Sequence, residues 1–209
     1  MDKKKALKLA KKYINNQPRP RGLMKQFKKN GLGCLLGEVY ELTAQYIQEN
    51  ENAPDGVKTH LKQILPSIAF YKVLIKKEGS KEKALETFEK FCFVKVKKFA
   101  KLITVVMKFP GLYKKVPSIM EMLLAKTFGE KCGFKYIHKE CENGFAADML
   151  MCPYFETCKK YACPELTQMF CKSDDICYGN MHSKLVWART KTLGMGGDCC
   201  DFKLYIKND

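Results

Sequence analysis

Residues 189 to 204 read RTKTLGMGGDCCDFKL, one arginine, two threonines, three glycines, two adjacent cysteines and two aspartates within sixteen positions. Each type brings a distinct chemistry. The Arg189 guanidinium can grip a carboxylate through two parallel hydrogen bonds. Gly194, Gly196 and Gly197 permit left-handed turns whose N–H groups can converge on an anion. Cys200 can act as a thiolate nucleophile or as a metal ligand, and Asp198 as an acid or base. Strand-like alternation puts Arg189 and Lys191 on one face and Thr190 and Thr192 on the other. Glycines alone would also make a plain flexible hairpin. The combination with Arg189, Thr190, Thr192, Asp198 and Cys200 is what points to a site that binds an anionic small molecule.

A second group lies just upstream. Cys171 precedes Asp174 by three positions, which places both on one face of a helix. Cys177 and His182 follow, and His182 is an acid–base candidate. Cys171, Asp174, His182, Asp198 and Cys200 are therefore the candidate catalytic set. Cys171, Cys177 and Cys200 are the candidate ligands should the chain hold a divalent metal such as zinc. Nine of the eleven cysteines fall between residues 132 and 209, yet no CxxC pair occurs. Zinc-ribbon and ferredoxin spacings are thereby excluded. The plain alternative for any one of these cysteines is a buried thiol that packs as a small apolar side chain.

The elements that must position these residues can be read from periodicity. Residues 3–15 form an amphipathic helix, and NNQPRPRG breaks it. GEVYELTAQYIQEN is helical, and VKTHLKQILPSIAFYKVLIKKEG holds two helical pieces around Pro66, which either kinks the helix or sits in the first turn of its second half. Ser80 is an N-cap for a long helix running toward Pro110-Gly111, and Pro117 starts another that ends near Gly129. The pattern then changes near Gly133. GFKYIHKE and GFAADMLM alternate around CENG and form a hairpin. YFETCKKYA and PELTQMFCKSDD are short helices. KLVWART and CCDFKLYIK form a second hairpin. The expected fold class is α+β: a helical part over 1–130 packed with a small, cysteine-rich antiparallel sheet with short helices over 131–209, in a single domain spanning 1–209.

Charge and composition narrow the function classes. The chain has 209 residues and a formal net charge of +16, and residues 1–30 hold eleven Lys or Arg against one Asp. This basic front could meet nucleic acid or a membrane surface; no aromatic interleaving, zinc-finger spacing or recognition-helix pattern accompanies it, so it is read as a solvated helix face. No apolar run is long enough to span a bilayer, and the basic N-terminus lacks the apolar core of a secretory signal. Eleven cysteines without an export signal suit a reducing cytoplasm, with thiols free or metal-bound rather than paired as disulfides.

The segment ARTKTLGMGGDCCDFKL resembles the C-terminal signature of the L-2-amino-thiazoline-4-carboxylic acid hydrolase family: Arg-Thr, then Thr-Leu, glycines, and Cys-Asp-Phe. CPELTQMFCKSDD is similar to the family's Pro-Glu-Leu and Cys-x-x-Asp elements, and LPSIAFYKVLIKKEGSKEKALE to its helical middle. The resemblance covers roughly residues 55–205. Cys163, Cys177 and Cys199 are additions to that pattern. The resemblance implies a hydrolase that opens a small five-membered ring carrying a carboxylate, by adding water to the carbon between ring nitrogen and sulfur. Loss of the C–S bond from the tetrahedral intermediate would give N-carbamoyl-cysteine, and loss of the C–N bond S-carbamoyl-cysteine. Such chemistry needs a carboxylate anchor, a nucleophile or activated water, and a proton donor. Arg189, Thr190 and Thr192 supply candidates for the first, and the Cys171, Asp174, His182, Asp198 and Cys200 set for the others. The alternative is a non-catalytic sensor domain that binds a small molecule or a metal, which turnover and metal content would distinguish.

Overall fold

The computed structural model describes residues 1–207. The chain divides into two compact units. One comprises Met1–Lys95 with Thr157–Leu166, the other Val96–Glu156 with the chain from Thr167 onward. The fold class is the expected α+β, with most helices in the first 130 residues and an antiparallel sheet in the last third.

The first unit is helical: α1 (Lys3–Asn16), α2 (Pro18–Lys29), α3 (Leu36–Glu49), α4 (Asp55–Glu78) and the first half of α5 (Lys81–Val106). α1 buries Ala6, Ala10 and Ile14, a four-residue spacing that keeps one face inward. Two expectations are corrected here. The PRPRG run stops α1 but also starts α2, with Pro18 at its first position. The first N–H groups of a helix have no partner inside it, so proline costs little there. Pro66 does not divide α4, which runs unbroken through it. Leu61, Ile64, Leu65, Ile68, Phe70 and Leu74 on either side are all buried, and this burial outweighs the lost backbone hydrogen bond. Ser80 caps α5 as expected, its Oγ accepting from the Lys83 N–H at 3.3 Å.

The second unit holds the sheet. β1 (Lys135–Lys139), β2 (Gly144–Met151), β3 (Leu185–Ala188) and β4 (Cys200–Ile206) lie in the order β1-β2-β4-β3, and every neighbouring pair is antiparallel. β2 pairs with β4 so that Met149 faces Cys200 and Asp148 faces Asp201. The expected β1–β2 hairpin turns through Asn143, at φ 53°. α6 (Val116–Thr127) lays Leu124 against Phe145, Ala147 and Met149, with Leu193 and Cys200 in the same buried cluster. A second cluster joins Val116, Met181, Leu185 and Leu204. α7 (Pro153–Lys160) starts in this unit, and α8 (Thr167–Tyr178) lies wholly in it. Every candidate site residue belongs to this unit.

Candidate functional site

Arg189 follows the last residue of β3, where the chain leaves the sheet. Its side chain is 4% exposed. Nη2 donates to the Cys171 carbonyl at 2.9 Å and pairs with the Asp175 carboxylate at 2.7 Å. Nη1 lies 3.7 Å from an Asp174 oxygen and is buried without a hydrogen-bond partner among the described residues. The guanidinium also sits over two rings, 5.7 Å from the Trp187 centroid and 5.5 Å from that of Phe202. Trp187 Nε1 donates to the other Asp175 oxygen at 3.0 Å, fixing that carboxylate. Cys171, Asp174 and Asp175 occupy positions i, i+3 and i+4 of α8, so one helix face presents all three toward Arg189. Asp175 was not singled out from sequence, although the i+4 spacing from Cys171 carried the signal.

Three thiols lie close enough to influence one another. Burial pushes the Cys171 thiol up to about 11; the Arg189 charge opposes this, while Cys200 and Asp174 add to it. Burial likewise raises Cys200, against the Leu193 N–H, which donates to its Sγ at 3.3 Å, and against Arg189. Cys152, absent from the sequence-derived set, is raised to about 12 by burial, against the N–H groups of Phe155 and Tyr154 at the start of α7, with Cys200 and Cys171 adding to the rise. Its signal was the Cys152-Pro153 step at a helix start. The thiolate is the nucleophilic form, so all three are neutral and unreactive near pH 7. Alkylation of the folded protein by iodoacetamide should be slow at Cys171 at neutral pH and accelerate as pH rises toward about 11. The same thiol should react readily in denatured protein. Mass mapping of modified sites checks this, and fast neutral-pH labelling of Cys171 in folded protein would contradict it.

The glycine turn does other work than expected. The chain departs from strand geometry after Ala188, so the alternation fails: Arg189 and Thr192 are buried, while Thr190 and Lys191 are exposed. The Asp201 carboxylate holds this departure. It accepts from the N–H groups of Thr190 and Lys191 at 2.9 and 2.8 Å and from Thr190 Oγ1 at 2.5 Å. Burial opposes its ionisation, but these hydrogen bonds outweigh it and hold the Asp201 carboxyl below its ordinary range. The N–H groups of Met195, Gly196 and Gly197 bond to the carbonyls of Thr192, Leu193 and Thr192. They close a tight turn and do not converge on an anion. Gly194 is needed for close approach, since a Cβ there would lie 2.9 Å from Thr167 Cγ2. Thr192 is 2% exposed, and its hydroxyl lies beside the Cys171 thiol outside good hydrogen-bond geometry.

Arg189, Cys171, Asp174, Cys200 and Thr192 thus come together, whereas four other candidates stand apart, among them Thr190, exposed and held by Asp201. Asp198 is on the exposed turn, paired with Lys191 at 2.6 Å, a pairing that lowers its pKa. His182 precedes β3, at the end of that strand opposite Arg189; it stacks on Tyr113 at 4.3 Å and accepts from the Lys184 N–H at 3.1 Å. Cys177 lies six positions after Cys171, about 120° away around the helix. Among the described residues no three His, Cys, Asp or Glu side chains come together so as to hold a metal ion. None of the eleven cysteines is paired in a disulfide.

One family model, described as L-2-amino-thiazoline-4-carboxylic acid hydrolase, matches residues 60–204. That range includes every residue of the Arg189 cluster and covers more than half of the chain. No curated protein and no solved structure matches the chain.

Proposed function

The chain belongs to the L-2-amino-thiazoline-4-carboxylic acid hydrolase family, and from that premise we propose that it hydrolyses a small cyclic C–N/C–S substrate bearing a carboxylate, with Arg189 as the anchor. The observation that carries this reading is the buried Arg189 Nη1, which lacks a hydrogen-bond partner beside a long 3.7 Å approach to Asp174. A buried donor left unsatisfied is costly, and a substrate carboxylate would satisfy it. Thr192 Oγ1, also buried and without a hydrogen-bond partner, offers a second polar contact.

The raised thiols favour water over cysteine as the nucleophile. As the substrate carboxylate takes Nη1, Asp174 loses part of its hold on the guanidinium and becomes a better base. Asp174 then accepts a proton from water as the water oxygen bonds to the amidine carbon. The tetrahedral intermediate expels the ring sulfur or ring nitrogen, which takes that proton back from Asp174, while the intermediate's hydroxyl proton passes to the ring nitrogen as the carbonyl forms. The product is the substrate plus one water. Cys171 and Cys200 stay neutral and take no part in the bond changes.

The test is incubation with L-2-amino-thiazoline-4-carboxylate, with the ring-opened product followed by mass spectrometry. The native chain is expected to turn over. Asp174→Asn should lower the rate by about 100-fold or more without unfolding the protein, because Asp174 is 44% exposed. Cys171→Ser should keep most of the rate. Loss in Cys171→Ser with activity kept in Asp174→Asn would replace water by a covalent thiol route. Tight binding with no turnover by the native chain would favour the sensor reading instead.

A further inference from the structure

We propose that the second half of α5, the loop after it and the exposed face of α6 form a docking surface for an anionic lipid bilayer. Soluble domains seldom expose several large apolar side chains in succession. Here Phe99, Leu102 and Val105 on α5 are 57 to 58% exposed, and Phe109 in the following loop is 68% exposed. Phe99, Leu102, Val105 and Val106 fall within an arc of about 120° of the helix. Ile103 and Met107 instead pack on the cluster around Val116 and Leu185. The outward stripe is therefore surplus to the core. α6 continues the pattern with Ile119, Met122 and Leu123 at 40 to 47% exposure.

Charge selects the occupant. Residues 96–126 contain seven lysines and one acidic residue, Glu121. Lys101 borders the α5 stripe, Lys98 stands at its N-terminal end, and Lys108 stands next to Phe109. Apolar side chains that can enter the acyl boundary, bordered by lysines that can meet lipid phosphates, are the pattern of a helix lying on a membrane. No helix among the described residues is long and apolar enough to cross one. A second copy of the chain is the poorer fit. A two-fold contact places a patch against itself, which would set the lysine-rich surfaces face to face.

The experiment is co-sedimentation of the full chain with phosphatidylcholine vesicles, with and without phosphatidylserine. Binding to the phosphatidylserine vesicles is expected, weakening as salt rises and absent on phosphatidylcholine alone. The double variant Phe99→Ser, Phe109→Ser should weaken partitioning by about tenfold or more with an unchanged far-ultraviolet dichroism spectrum. A second variant, Lys3, Lys4, Lys5 and Lys8 to Gln, separates this surface from the basic N-terminal helix and should bind as the native chain does. The proposal is overturned if the serine variant binds undiminished, if the N-terminal variant alone loses binding, or if no vesicle is bound. It is equally overturned if sedimentation velocity shows a dimer that the serine variant dissociates while vesicles are ignored.

Discussion

Arg189→Met is expected to abolish turnover and to destabilise the sheet unit by about 3 kcal/mol. The side chain is 4% exposed and holds four partners at once: the Asp175 carboxylate, the Cys171 carbonyl and the faces of Trp187 and Phe202. Methionine fills most of the volume but leaves the Cys171 carbonyl without its side-chain donor. Asp175 suffers less, because at 49% exposure it can rehydrate and it keeps the Trp187 hydrogen bond. Arginine at this position therefore ties α8 to the end of β3 as well as offering Nη1 to a substrate. With the side chain 4% exposed, its removal costs stability as well as substrate binding. Arg189→Lys separates the two duties. A lysine can keep one ion pair but cannot present a planar fork, so the variant should melt closer to the native chain while its turnover falls by about 100-fold. The measurements are thermal denaturation and rates normalised to folded protein. A lysine variant with native turnover would show that the fork plays no part in holding substrate.

The sequence was most legible where local rules and tertiary demands agree. The apolar spacing of α1, the Ser80 cap, Pro117 at the start of α6 and both hairpins follow from periodicity and turn chemistry. It was least legible where burial overrode a local rule. Pro66 reads as a kink or as the start of a second helical piece, yet the buried residues around it carry one helix through. Arg189, Cys171, Asp174 and Cys200, which residue type and close spacing marked in the sequence, lie near one another in the fold. Asp198 lies on the exposed turn, paired with Lys191; a turn aspartate looks the same in sequence whether it faces solvent or the protein interior. Asp201 was passed over for the converse reason: it is formally a strand residue, but it acts as the acceptor that bends Thr190 and Lys191 off the sheet. Cys152 converges on Cys171 and Cys200 only through the β2–β4 pairing and the turn into α7, which spacing along the chain does not encode.

Gly144→Ala should be the most damaging single-methyl change in the sheet unit, costing about 3 kcal/mol or more. Gly144 opens β2 just after the turn at Asn143 and pairs with Tyr205 of β4. A Cβ at this position would lie 2.5 Å from the Leu204 carbonyl oxygen, 2.5 Å from Tyr205 Cβ and 2.7 Å from Tyr205 Cα. Two of these atoms are backbone and the third is fixed to it, so no rotamer change relieves the overlap; the strands must separate. Strand pairing propagates along the register, and the same β2–β4 ladder ends at Asp148 facing Asp201 and Met149 facing Cys200. Splaying its Gly144 end therefore loosens the strand that carries the Asp201 acceptor and the Cys200 thiol. The expected result is a lower melting temperature together with faster alkylation of Cys200 at neutral pH. Gly37→Ala is the matched control, since α3 is helical there and nothing lies within 4 Å of the added carbon. It should be neutral or stabilising by up to about 1 kcal/mol. Equal melting temperatures for the two alanine variants would mean that the β2–β4 contact at Gly144 is looser than its geometry requires.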